Sequence, residues 1–133
     1  MTTTLPTSVV PYLAVRGGAE ALDFYRDAFG ADEVHRTAGP DGVSHAEFTI
    51  GTTRFFLADE WPAAKILSPV TLGGYSVSLA LEVQDAPALV ERLAAHGATV
   101  ERPVRDGPEP GTVAGWVVDP YGHRWFLSSR API

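Results

Sequence analysis

His45 and Glu47 stand two residues apart, a spacing that could let them move a proton or hold a cation. Residues at i and i+2 of a strand share a face, so imidazole and carboxylate would project together. Such a pair can act as acid and base, and divalent transition metals accept both groups as ligands. Any strand surface can produce the same spacing, so a plain cross-strand polar pair is the competing reading. His35 and His96 read as surface residues. His123 closes the turn Asp119-Pro120-Tyr121-Gly122, where a structural role is expected. Asp59 and Glu60 could supply further carboxylates. There is no cysteine, hence no thiolate ligand, thiol nucleophile or disulfide framework.

The elements that must position these groups come in two copies. Arg54-Phe55-Phe56-Leu57 recurs seventy residues later as Arg124-Trp125-Phe126-Leu127. Leu13-Ala14-Val15, followed by a helical pattern ending in Gly30-Ala31, recurs as Leu81-Glu82-Val83 and a helical pattern ending in Gly97-Ala98. The same order of strand, helix, Gly-Ala and strand in both halves marks a duplication.

In the first half, residues 9–15 are β-rich and 19–29 carry apolar residues at helical spacing. Strands follow at 33–37, 44–50 and 53–58, with a hairpin turn at Asp41-Gly42. In the second half a strand at 76–83 precedes a helix at 87–96, which Asp85 caps. Strands at 99–103, 112–118 and 124–129 complete the copy. The expectation is one α+β domain of two βαβββ modules, about 7–60 and 75–130, joined by a linker at about 61–74. The modules would form an incomplete β-barrel with helices on the outer face.

Alternation along those strands divides the side chains into two sets. If Phe56 and Phe126 face the cavity, then Arg54, Ala58, Arg124 and Ser128 share that side, and Phe55, Leu57, Trp125 and Leu127 pack beneath the helices. Tyr12 and Ser78 face inward on the first strands. Ala46, Phe48 and Ile50 take the core, which sends His45 and Glu47 into the cavity. Trp116 lies on a strand that is apolar on both sides, so its direction stays open. Trp61 sits on the linker, where it would cover a ligand, meet a second subunit or simply pack. Tyr12, His45, Glu47, Phe56, Trp61, Ser78, Trp116 and Phe126 are the candidate ligand-binding residues: an aromatic pocket with a few polar anchors.

Several segments together resemble the vicinal oxygen chelate superfamily, which contains glyoxalases, extradiol dioxygenases and bleomycin-resistance proteins. They are Pro11-Tyr12-Leu13-Ala14-Val15, Ala21-Leu22-Asp23-Phe24-Tyr25 through Phe29-Gly30-Ala31, His45-Ala46-Glu47, Leu57-Ala58-Asp59-Glu60 and Asp119-Pro120-Tyr121-Gly122-His123-Arg124-Trp125. The likeness is strongest to the PhnB-like subgroup. It implies a homodimer and, in metal-using members, ligands at the positions held here by Val10, Phe56, Ser78 and Phe126. Val and Phe have no donor atom and a neutral Ser is a weak one, so the resemblance implies no metal and no cofactor at those positions.

Three functions follow as expectations. The first is a metal-independent binding protein of the bleomycin-resistance type, sequestering an aromatic or cationic drug-like molecule. The second is a glyoxalase-type enzyme with ligands relocated to His45, Glu47 and one of Asp59, Glu60 or His123; a metal-free variant would use Glu47 as base. The third is a dimerising module without ligand.

Composition narrows the partners. The net charge of −6, from 16 acidic and 10 basic residues in 133, disfavours nucleic acid. No stretch reaches the roughly 18 apolar residues of a membrane span, and no leader pattern is visible in residues 1–10, so a cytoplasmic location is expected. The only lysine among the basic residues is Lys65, a bias typical of a GC-rich bacterial gene.

Overall fold

A computed structural model describes residues 4–40 and 42–131. The chain is α+β. Strands β1 (Tyr12–Val15), β2 (Asp32–Gly39), β3 (Gly42–Ile50) and β4 (Thr53–Asp59) accompany helix α1 (Gly18–Phe29). The short helix α2 (Pro69–Leu72) leads to β5 (Ser78–Glu82), α3 (Ala86–Ala95), β6 (Thr99–Asp106), β7 (Thr112–Val118) and β8 (Arg124–Arg130). The strands form two four-stranded sheets of identical order, β1-β4-β3-β2 and β5-β8-β7-β6. In each, the first strand runs parallel to the last and the rest are antiparallel. This is two βαβββ modules, with no closed barrel.

The alternation expected from the sequence sorts the two faces. Leu13, Val15, Ala46, Phe48, Phe55 and Leu57 are buried on one side of the first sheet, and Trp125 and Leu127 on the matching side of the second. Helices α1 and α3 cover those sides and touch each other. Tyr25 stacks on Phe48, and Phe48 on Phe55, with centroids 5.2 and 5.1 Å apart; Phe29 meets Trp125 at 4.6 Å. The aromatic core therefore joins the modules on the side away from the concave faces.

Several boundaries differ from the expectation. β6 runs on to Asp106, past Pro103, because register shifts absorb the proline. The linker is not irregular throughout: it contains a 3₁₀ turn at Pro62–Ala64 and α2, which Ser68 caps by accepting from the Thr71 amide. At the hairpin, Gly39 pairs with Gly42. Asp41, half of the expected turn pair, lies outside the described residues, as do residues 1–3 of the segment read for a leader.

Candidate functional site

The linker and one end of the first sheet enclose a hollow of about 740 Å³. Its apolar wall includes Tyr12, Ala14, Val43, Ala58, Trp61 and Ile66, and Ser44, Asp59 and Glu60 add polar groups. Trp61 is held in place by its backbone, which exchanges hydrogen bonds with Ile66 at 2.8 and 3.1 Å. Trp61 remains 62% exposed and Tyr12 57%. Such large aromatic surfaces left in water beside a concavity are what a ligand would cover.

Both carboxylates at this hollow are already engaged. Asp59 Oδ1 accepts from the Gly17 and Gly18 amides at 3.0 and 2.9 Å, and Oδ2 from the Val43 amide at 2.7 Å. Glu60 accepts from the Ser68 amide and the Thr71 hydroxyl, each at 2.9 Å, and lies 3.7 Å from Arg16. The Ser68 bond leads the interactions that hold its carboxyl below the usual range. Glu60 thus ties the linker to β4, and Asp59 ties the start of α1 to the hairpin.

Behind Tyr12 the concave face carries the expected cluster. The Tyr12 hydroxyl lies 2.7 Å from His45 Nδ1, and Phe56 stands edge-on to Tyr12 at 5.5 Å. His45 and Glu47 share this face but have different partners. Arg54 donates to Glu47 from Nε at 3.1 Å and lies over the Phe56 ring at 5.3 Å. That guanidinium holds the Glu47 carboxyl below its ordinary range, the wrong direction for a general base at neutral pH.

The second sheet carries its own concavity, of about 560 Å³, lined by Ser78, Trp116 and Phe126 among others. The single chamber expected to hold Phe56 and Phe126 together is, within one chain, two hollows. Tyr12 and Trp61 line the first, with His45, Glu47 and Phe56 behind Tyr12, and the second sheet contributes the rest. The physical reason is the shared core, which packs the sheets through their helix sides and leaves the concave faces apart. Trp116 takes the concave side because it lies opposite Phe126 across β7 and β8, with rings 4.8 Å apart. Arg124 covers Trp116 at 3.8 Å from the ring centroid and donates to Glu101 at 2.6 Å.

His123 donates from Nε2 to the Ala14 carbonyl at 2.9 Å, a structural bond between modules. Asp119, unmarked in the sequence reading beyond its turn, is buried. It accepts from the Tyr25 hydroxyl at 2.6 Å, the Trp125 indole at 2.9 Å and the amides of Tyr121 and His123.

Residues 7–127 match the model of the Glyoxalase/Bleomycin resistance protein/Dioxygenase superfamily. The chain belongs to that superfamily. It is 40% identical over 124 residues to an uncharacterized protein of Mycobacterium bovis, covering 88% of this chain and 79% of that one. Among solved structures it resembles a gene product of Arabidopsis thaliana at 26% identity and a TM-score of 0.71, covering 92% of this chain and 98% of that one. A PhnB protein of Bacillus cereus, described as a putative 3-demethylubiquinone-9 3-methyltransferase, shares the fold at 24% identity and a TM-score of 0.68, covering 92% of this chain and 99% of that one.

The positions that hold metal in metal-using members of the superfamily do not fit an ion here. Phe56 and Phe126 present rings, Ser78 a lone hydroxyl and Val10 no donor. The relocated set does not assemble either. Asp59, Glu60 and His123 each serve the scaffold, Glu47 is paired with Arg54, and no three His, Asp or Glu side chains converge on a metal-sized site among the described residues.

Proposed function

We propose that the protein is a metal-independent binding protein of the bleomycin-resistance type that sequesters a flat aromatic or cationic small molecule. The observation that carries this reading is the pair of exposed aromatic side chains, Tyr12 and Trp61, on an apolar hollow of about 740 Å³ bordered by Asp59 and Glu60. That volume lies within the ~300–1,000 Å³ typical of ligand sites. Rings offer stacking and cation–π attraction, and the nearby carboxylates favour positive charge. His45, Glu47 and Phe56 line the face behind it, and Ser78, Trp116 and Phe126 form the corresponding ligand-contacting face of the second module.

The protein acts as a homodimer in this proposal. Each concave face is half-open in one chain, and a second chain laid across it would close both. Light scattering that gives a monomer at micromolar concentration counts against that part.

The binding test is titration of tryptophan fluorescence with a panel of flat and cationic antibiotics, bleomycin included, before and after EDTA. Saturable quenching indifferent to EDTA, weakened about tenfold by Trp61→Ala, is the expected result. Absence of saturation across the panel, or binding that requires added zinc or manganese, overturns the reading.

A further inference from the structure

β2 of the first sheet inserts one extra residue against β3, between Glu33 and His35, but the second insertion of β6, between Arg102 and Arg105, has no counterpart on β2. Val100 lies opposite Val117, Arg102 opposite Trp116 and Arg105 opposite Ala114, so β6 twice inserts one residue more than β7. Residues three apart on an unbroken strand point to opposite faces. The extra residue between Arg102 and Arg105 brings both to the same side, where they line the hollow with Trp116, Phe126 and Ser78. Gly115 makes the bulge feasible: a methyl there would sit 3.1 Å from both the Arg102 carbonyl oxygen and a Val104 methyl.

These two arginines lack what the other concave-face arginines have. Arg54 and Arg124 are anchored by Glu47 and Glu101. Among the described residues, neither Arg102 nor Arg105 forms an ion pair, although Asp106 also lines the hollow, and the buried Arg102 Nε has no hydrogen-bond acceptor. Buried donors in folded proteins nearly always have a partner, so Arg102 is left with unused hydrogen-bonding capacity where it lines the hollow. A guanidinium fork matches a carboxylate in plane, two N–H groups to two oxygens. Beside the fork stand Trp116 and Phe126, with ring surface for a flat group.

We infer that this hollow binds an aromatic carboxylate, its anion held by Arg102 and Arg105 and its ring set against Trp116 and Phe126. The inference rests on the binding reading above for the second module's face and adds the charge of the ligand. The chain as a whole is acidic, so the preference is local to this face.

The test compares 2-naphthoate with its neutral analogue 2-naphthamide, by calorimetry on the full chain. The expected result is saturable binding of the naphthoate about tenfold or more tighter than the amide, with the difference abolished by Arg102→Gln and by Arg105→Gln. Arg105 is exposed, so its variant keeps the test valid even where Arg102→Gln fails to fold. Equal affinities for the two probes, or a preference that survives Arg105→Gln, overturn the inference while leaving the binding reading intact. No saturable binding of naphthoate overturns it as well, and the cationic panel then judges the broader reading separately.

Discussion

Asp59 and Ser129 hold the same place in the two modules, at the end of β4 and of β8, and each binds the first amide of its module's helix. Asp59 accepts from Gly18 and Ser129 from Ala86, both at 2.9 Å. Gly17, the residue before α1, has no capping side chain, so the cap arrives from a neighbouring strand. α3 also has Asp85, which accepts from the Ala88 amide. The two caps should therefore differ in weight. Asp59→Ala removes a charged acceptor of three amides and is expected to destabilise by about 2–3 kcal/mol. Ser129→Ala is expected to lose about 1 kcal/mol. Urea denaturation of both variants checks the order.

Tyr25 reaches across the modules to Asp119, and its phenol is wholly buried. Burial first, then the Asp119 charge, push the Tyr25 phenol well above the ordinary range. An unfolded tyrosine ionises near pH 10. Below that pH both states are neutral and the contribution is fully present; as pH rises toward the higher folded value it is lost. One phenolate should thus appear only together with loss of the fold in an alkaline absorbance titration. Tyr25→Phe should remove that coupled step and weaken the fold by about 1–2 kcal/mol.

Glu60 makes the linker acid-sensitive. Its carboxyl is held below the usual range by the Ser68 amide foremost, so its contribution is complete above the unfolded value near 4.5. It disappears as pH falls through the lower folded value. Trp61 emission should shift in that acid window ahead of the far-ultraviolet signal of the sheets. Glu60→Gln should abolish the early step, and an emission change that only tracks global unfolding would contradict this.

Tyr12 and His45 can be separated by paired variants. Tyr12→Phe removes the 2.7 Å contact to His45 but keeps the ring. Tyr12→Ala removes both. If stacking dominates, the phenylalanine variant should bind a flat cationic ligand within about twofold of the parent and the alanine variant about tenfold more weakly.

Much of this was legible from residue order. Period-two alternation placed Leu13, Ala46, Phe48, Phe55 and Trp125 in the core, since one face of each sheet is covered by a helix. The recurrence of the Arg-aromatic-Phe-Leu segment carried the two-module architecture. Composition could not reveal that His45 and Glu47 would choose different partners, because cross-strand neighbours depend on register. Arg102 and Arg105 were missed for the same kind of reason: their spacing puts them on opposite faces until a bulge re-phases them. The Pro103 between them, with Gly115 on the facing strand, was the available signal. Asp59, read as a possible metal ligand, proved a scaffold acceptor because its amide donors lie 16 to 42 residues away, and the link from Asp119 to Tyr25 spans 94 residues.

The packed rings that join Tyr25, Phe29, Phe55 and Trp125 all lie on the helix side of the sheets. Under the proposed binding role, cohesion and recognition fall on opposite surfaces of the same strands. Substitutions of hollow-side rings such as Tyr12 or Phe126 should therefore disturb folding less than substitutions in the aromatic core, whereas Asp59 and Glu60 serve the scaffold as well. On that reading, the guest could be changed by altering a handful of hollow-side residues with the aromatic spine kept intact.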